Sequence, residues 1–404
     1  MLTLHPILNT RTAQSKVMGA KLEFKDISFS QQDGLIRVYF LKNFYFDINV
    51  NELEEIAKFT IINSQAIEFD TTQAKAERQF QRLLAKNIEN NLKSLKGNRA
   101  FYVHSLPLIG SLRFGLLDRD TNLIEVRPIT GCNLNCIYCS IDEGIESEKI
   151  DYVVDKDLLV TEFKTLTKDK KNVEAHIGPQ GEPLMYSKLT ELVSDLSKLP
   201  NVKTISMDTN GVLLTKDIID KLKEAGMTRI NLSLNAIDPE IAKKMSGCGY
   251  VVKRVLETAE YIAKKMELLL APVYVPGIND SEMPKLIELS KKLNAKIGIQ
   301  NFLQYKGGRN PVKQKSWEEF YELLKNLEKK HNVKLILSAE DFGITAQKTL
   351  PKPMKKDDVV SAEVMYKEYA SAKGRLIKIN PTEKKNCKVK ITRDKHNIYF
   401  GSVL

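Results

Sequence analysis

Between residues 122 and 337, short apolar runs alternate with amphipathic segments, and this alternation restricts the fold more than any other feature of the 404-residue chain. The runs at 123–129, 173–177, 202–207, 229–234, 268–274, 297–303 and 333–337 read as strands. Segments at 188–199, 217–225, 251–266, 282–293 and 317–327 carry helical spacing, and in the last Trp317, Phe320, Tyr321, Leu324 and Leu327 form one apolar stripe. Strand–helix alternation of this length predicts an α/β fold with a parallel sheet and crossover helices. Some six units are too few for an eight-fold barrel and predict a partial (β/α)6 barrel, with ligands at the carboxyl ends of its strands.

Two further units flank this one. Residues 1–115 read as an N-terminal α+β domain, with strand-like runs at 21–29 and 34–40 and a helical stretch at 72–95. In that stretch Ala76, Phe80, Leu83 and Leu84 share a face. Residues 116–345 make up the barrel core. A Pro-marked linker, Leu350-Pro351-Lys352-Pro353, then opens a tail, 351–404, of short strand-like runs at 359–365, 375–379, 387–392 and 397–403. The formal net charge is +11, and residues 348–404 hold 12 Lys and 2 Arg against 6 Asp and Glu, net +8. A small basic module on a nearly balanced body is an electrostatic footprint for nucleic acid. Its candidates for phosphate contact are Lys355, Lys356, Lys373, Arg375, Lys384, Lys385, Lys388 and Lys390. A Lys-rich solubilising surface is the other reading of the same charge.

Three of the five cysteines lie in Gly131-Cys132-Asn133-Leu134-Asn135-Cys136-Ile137-Tyr138-Cys139, directly after the first strand. A structural zinc site asks for four ligands, and here there are three, with His104 and His176 distant in sequence. A disulfide framework would strand one thiol and needs an oxidising compartment. Three thiolates on so short a loop suit three irons of a [4Fe–4S] cube whose fourth iron stays open. With no secretory signal at the N-terminus and no apolar run of about 18 residues, the chain is expected in the cytoplasm and off the membrane.

The C-x3-C-x2-C spacing after a first strand resembles the radical S-adenosylmethionine (SAM) superfamily. That resemblance implies a [4Fe–4S] cluster on Cys132, Cys136 and Cys139 and SAM chelated at the open iron. It also implies an electron donor such as a ferredoxin or flavodoxin, and reductive cleavage to a 5′-deoxyadenosyl radical. Tyr138 matches the aromatic position that flanks the adenine. Gly181-Glu182-Pro183, after the second strand, matches the Gly-Glu-Pro element that contacts the SAM amino group. Asn210 ends the third strand, in an Asn-Gly that also reads as a plain turn. Ser233 and Asn235, on one face of the fourth strand, match the ribose and carboxylate contacts. Ile299 and Asn301 fall where the sixth strand packs on adenine, although Gly298-Ile299-Gln300-Asn301 departs from the more usual G-x-I-x-G. Leu106 to Gly110, Phe114-Gly115 and Gly298 to Leu303 also resemble an archaeal radical SAM family of mostly unassigned function.

The basic tail resembles, in size, position and charge, the TRAM-type OB-like module of tRNA methylthiotransferases. OB-like barrels bind single strands through basic grooves and stacking aromatics, here Tyr399 and Phe400, of which at least one belongs to the barrel core. The resemblance implies an enzyme that modifies a tRNA nucleoside. Only Cys248 and Cys387 remain for a second cluster, which favours methylation or a related change of a hypermodified base near the anticodon over methylthiolation. The alternative is a radical SAM enzyme that modifies a peptide or protein. Cys248, between two glycines, reads as a loop cysteine or a methyl carrier, Cys387 as core, and His104 and His176 as structural.

Overall fold

In the computed structural model the described residues are 19–140, 150–366 and 368–404; the N-terminal residues from which the absence of a leader was read lie outside them. The chain divides into two compact units, 1–102 with 148–153, and 103–147 with 154–404.

The first unit contains strands β1 (Ala20–Glu23), β2 (Ile27–Gln32), β3 (Leu35–Phe40) and β4 (Phe44–Asn49), then helix α1 (Val50–Glu54). It continues with β5 (Phe59–Asn63), β6 (Ala66–Phe69), α2 (Gln73–Asn90), β7 (Lys93–Ser94) and β8 (Arg99–Val103). Strands β1, β6 and β5 form one antiparallel sheet. Ala76, Phe80 and Leu84, one face of α2, are buried, and Phe80 packs with Phe24, Phe29 and Phe69 at centroid distances of 5.7, 6.1 and 5.4 Å.

The second unit opens with β9 (Gly115–Asp118) and β10 (Leu123–Arg127). After the cysteine loop the chain returns to the first unit, whose second sheet β11 (Ile150–Val154), not foreseen as a strand, completes in the order β11-β8-β7-β4-β3-β2. The repeats follow: α3 (Lys156–Thr167), β12 (Val173–Ile177), α4 (Leu189–Ser197), β13 (Val202–Thr209), α5 (Lys216–Ala225), β14 (Arg229–Leu232), α6 (Pro239–Ser246) and α7 (Val252–Lys265). Next come β15 (Glu267–Leu270), β16 (Val273–Tyr274), α8 (Glu282–Lys292), β17 (Lys296–Ile297), β18 (Gln300–Asn301) and α9 (Trp317–His331). The sheet order is β17-β15-β14-β13-β12-β10-β9, parallel from β10 to β17 with β9 antiparallel at the edge. These six parallel strands are the partial (β/α)6 barrel that the alternation implies. Each of the fifth and sixth expected strands is broken in two, β15/β16 and β17/β18, and the outer halves pair with each other. Residues 333–337 form no strand: Leu335 is buried, but its N–H and that of Ile336 donate to the Glu328 carboxylate instead of to a neighbouring strand.

The tail is a closed barrel of β19 (Val359–Tyr366), β20 (Tyr369–Ala372), β21 (Arg375–Lys378), β22 (Asn386–Arg393) and β23 (Phe400–Val403), in the order β19-β20-β21-β23-β22. Its core holds Val360, Ala370, Ile377, Val389, Ile391 and Tyr399, and Cys387 packs against it. The barrel is seated on residues 109–114. Leu376 N donates to Ile109 O at 2.9 Å, Ser111 Oγ and Tyr369 OH lie 3.0 Å apart, and Phe114 meets Tyr369 edge-on at 5.5 Å. Gly110 has φ +127°, and a Cβ there would lie 2.2 Å from Leu376 O, so only glycine lets the two backbones approach this closely.

Candidate active site

The cysteine loop is held from three sides. Helix α6 starts at Asp238, whose carboxylate caps Glu240 N and Ile241 N with Pro239 at the first helical position. Its free C-terminal carbonyls then point at the loop: Ser246 O accepts from Asn135 N at 3.0 Å and Met245 O from Ile137 N at 3.1 Å. Those bonds use carbonyls that a helix end leaves without internal partners. On the second side, Gly181, at φ +62°, lies so close that a Cβ would sit 2.6 Å from Gly131 O and 2.7 Å from the Thr130 carbonyl carbon, while Glu182 N donates to Gly131 O at 2.9 Å. On the third, the segment between β18 and α9 lies across the loop. Arg309 N donates to Cys139 O at 2.8 Å, and its guanidinium donates to Cys136 O at 3.3 Å and to Asn135 O.

All three thiols are partly accessible. Burial pushes the Cys136 thiol up to about 11, against a hydrogen bond with Tyr138 that lowers it, with Cys139 and Cys248 adding to the rise. Leu134 N points at Cys132 Sγ at 3.5 Å. Among the described residues no three His, Cys, Asp or Glu side chains converge on one ion position. A cube takes one thiolate per iron and so asks for a wider spread than a single ion does. The donor set, three thiols on a loop fixed through its backbone, fits a [4Fe–4S] cluster.

Beside the loop, at the ends of β13 and β14, lies the cleft of the expected SAM residues. Leu134, Cys136, Tyr138, Asn210, Ser233, Asn235 and Tyr250 are among its walls. Its enclosed free space is about 10 Å³, roughly one water's worth. Asn235 Nδ2 donates to Tyr138 OH at 2.5 Å, and Tyr250 OH donates to Asn210 O at 2.9 Å. Asn235 Oδ1 accepts from Val273 N at 2.7 Å, tying the end of β14 to β16. Asn210 Nδ2 donates to Asn133 Oδ1 at 2.8 Å, tying the end of β13 to the cysteine loop. Tyr138 packs against the buried cluster of Met245, Val275 and Phe302.

Other expected contacts are placed differently. The Glu182 carboxylate is turned into the protein, where Oε1 accepts from Leu184 N at 3.1 Å and Thr209 Oγ1 at 2.8 Å, and Oε2 from Asn210 N at 2.9 Å. It joins the turn after β12 to the end of β13, with Pro183 buried beside it. Burial nonetheless pushes its carboxyl up to about 7, against the lowering effect of those donors. Ile299 is buried in the break between β17 and β18, and Asn301 donates to Lys315 O at 3.1 Å while its Oδ1 is buried with no partner. Alternation along the strand gives the Tyr138 side to Phe302 instead, a residue that the sequence reading passed over because its hydrophobicity marks it only as core.

Inward-facing residues two apart along four strands make a polar floor that sequence reasoning also missed. Glu174 and His176, Ser206 and Asp208, and Arg229 and Asn231 sit in register on β12, β13 and β14. Ser206 Oγ donates to Glu174 at 2.6 Å and lies 2.8 Å from His176 Nδ1. His176 Nε2 lies 3.2 Å from Asp208, which also accepts from Asn231 at 2.9 Å. Arg229 pairs with Glu174, and on β10 Glu125 is held by Arg127 and by Arg119. Burial alone pulls His176 down, but the Asp208 carboxylate, with Glu174 and Glu125 behind it, leaves it above its ordinary value.

In the tail, Lys388 and Lys390 alternate outward along β22 against buried Val389 and Ile391, and Lys384 and Lys385 are exposed just before it. Lys390 pairs with Asp357 at 3.1 Å, Lys384 Nζ reaches Leu404 O at 3.4 Å and Lys373 Nζ reaches Pro353 O at 3.3 Å. Lys355 and Lys356 are exposed at the barrel's entry. Arg375 is partly buried: its Nε is enclosed with no partner among the described residues, while Nη1 donates to Gly374 O at 3.0 Å and Nη2 reaches Pro351 O at 3.4 Å. Burial lowers its basicity, while Tyr399 and Glu162 of α3 raise it. Tyr399 is fully buried, and Phe400 is partly covered by Arg393 at 5.4 Å.

Residues 126–290 match the model of the radical SAM superfamily. An uncharacterized protein of Methanocaldococcus jannaschii is 40% identical over 80% of this chain and 85% of its own length. A GTP 3′,8-cyclase of Clostridium botulinum is 29% identical over 48% of this chain, which spans 60% of that relative's length. Streptococcus suis SuiB bound to S-adenosylmethionine is similar at 15% identity with a TM-score of 0.43, over 78% of this chain and 71% of that one.

Proposed function

This chain belongs to the radical SAM superfamily, whose [4Fe–4S] cluster and SAM are its cofactors, and from that premise we propose that it modifies a nucleoside of tRNA. The cluster, when bound, supplies the electron that cleaves the SAM sulfonium, and so requires an external electron donor. Cys132, Cys136 and Cys139 would hold it. Tyr138 and Phe302 would flank the adenine, and Asn210, Ser233 and Asn235 would meet the polar end of SAM. The Glu182 carboxylate positions the turn after β12, leaving the backbone of that turn to face the ligand.

The observation that carries the tRNA reading is the closed, basic tail barrel seated against the core, with its lysines directed outward from β22. The GTP 3′,8-cyclases to which the core is similar are named for a guanine nucleotide, which favours a nucleotide-bearing substrate over a peptide. With no cysteine set for a second cluster, methylation or another carbon-centred change of a hypermodified base near the anticodon is the favoured reaction.

The test is nucleoside mass spectrometry of tRNA from a strain lacking this protein, incubated anaerobically with reconstituted protein, SAM and a reductant. A new mass that is lost in Cys132→Ala, Cys136→Ala and Cys139→Ala supports the reading. Cleavage of SAM with unchanged tRNA, and a mass change in a peptide pool instead, would replace it with the peptide-modifying alternative.

A further inference from the structure

The apolar stripe that opens α9 is only half buried. Phe320 and Leu324 face the core, while Trp317 is 48% and Tyr321 42% exposed. The two exposed rings are stacked on each other, with centroids 5.8 Å apart and planes 29° from parallel. Phe320, edge-on to Trp317 at 6.1 Å and against Tyr274 at 6.2 Å, anchors them to the barrel. The segment leading into this helix runs from Gln304 to Trp317 with Lys306, Arg309, Lys313 and Lys315 and no acidic residue. Tyr305 in it is 47% exposed.

This segment is not a loose appendage. Arg309 is bonded to the backbone of the cysteine loop, Gly308 packs against Cys139 O, and Val312 joins the apolar cluster beside Tyr138. Exposed aromatic faces interleaved with cations are the two components of a sequence-tolerant single-strand site, stacking plus phosphate attraction. On the helix itself Glu318 directly follows Trp317 and Glu322 directly follows Tyr321, so the cations of the platform come from the segment before the helix. Helix capping needs Glu319, which bonds Ser316 N at 2.9 Å.

We propose that Tyr305, Trp317 and Tyr321, with Lys306 and Lys313, form a stacking platform for a single-stranded segment of the RNA substrate. The platform would lead that segment across the roof of the cysteine loop to the mouth of the barrel. This rests on the tRNA reading above and names the surface of the core, beyond the tail, that takes the strand.

Trp317 is the chain's single tryptophan, so its emission reports the platform directly. Full-length reconstituted protein is titrated anaerobically with a short single-stranded RNA of mixed sequence, and separately with tRNA from a strain lacking this protein. Quenching by the single strand is expected, with affinity about 5- to 140-fold weaker in W317A, the equivalent of losing one stacked base. In W317F, which keeps a ring and serves as the folding control, the loss is smaller. Neutralising Lys306 and Lys313 to Gln lowers the log–log salt slope by roughly 1.4. Unchanged Trp317 emission on saturation with single strand, or equal affinity in W317A and parent at equal iron content, overturns the platform. Quenching by an acidic flavodoxin-type protein with RNA inert does the same and marks the face as an electron-donor dock. The tRNA arm separates the two readings. Binding and modification of tRNA with silent Trp317 refutes the platform alone, whereas no tRNA binding and no nucleoside change refutes the proposed function.

Discussion

At Glu182 three donors converge on two carboxylate oxygens that are fully enclosed. A buried carboxylate is tolerated only when its acceptors are satisfied, and these bonds hold two strand ends in register beneath the SAM cleft. Glu182→Gln turns a donor toward the Asn210 N–H, so one buried bond is replaced by two opposed donors. The expected cost is about 1–3 kcal/mol, read as a lower thermal midpoint, with SAM affinity falling because the turn after β12 shifts. A variant with the parent's midpoint and weaker SAM binding would show instead that the carboxylate touches the ligand. Near this site the residue scale was only partly legible. The types and spacing of Cys132, Cys136, Cys139, Tyr138 and Asn235 announce a ligand, whereas Phe302 and Asn301 differ only by which face the strand gives each of them.

The elements around the site are fixed by backbone chemistry. Helix α6 ends where its last carbonyls meet the cysteine loop, and the breaks in β15/β16 and β17/β18 let the outer halves of two strands pair again near the barrel mouth. Across β12, β13 and β14 the His176–Asp208 pair crosses the barrel floor. His176 sits above its ordinary value in the folded protein. Its stabilising contribution is therefore complete below the unfolded value near 6.5 and is lost as pH rises through the higher folded value. Asp208 sits below its ordinary value because His176, Asn231 and Arg229 outweigh the effect of burial. Its contribution is present above about 3.9 and is lost as pH falls through the lower folded value. Thermal midpoints of parent and His176→Gln, followed from pH 5 to 9, should converge as pH rises past 6.5. Parallel curves would mean that the pair does not titrate in this range. A sequence of alternating polar and apolar residues in a parallel strand announces this floor only once it is known which face looks inward.

For the whole molecule the question is how the tail serves the core. Removing residues 351–404 would expose Phe114 and the backbone at Ile109 and Gly110, which the tail barrel covers, so truncation mixes a folding defect with a binding one. Neutralising Lys384, Lys385, Lys388 and Lys390 to Gln leaves that seat untouched. The quadruple variant should keep the parent's midpoint and iron content while the salt slope of tRNA binding drops by up to about 3, near 0.7 per contact for single strands. An unchanged slope would remove the tail from the RNA interface. Arg375 is left out of this set because its Nη1 and Nη2 bond Gly374 O and Pro351 O, the second in the linker on which the barrel begins.

The sequence by itself determined the six parallel strands with their crossover helices, the place of the cysteine loop after the first of them, and the basic tail. All of these are local patterns: period, spacing and composition are written along the chain. Which side of each strand faces the cleft was decided only by the tertiary structure. So were the inward turn of the Glu182 carboxylate, and the exposure of Trp317 and Tyr321 on a stripe that reads as core. Burial and hydrogen-bond partnership depend on what other segments bring against a side chain, as the end of β13 does at Glu182, and no local pattern encodes that neighbour.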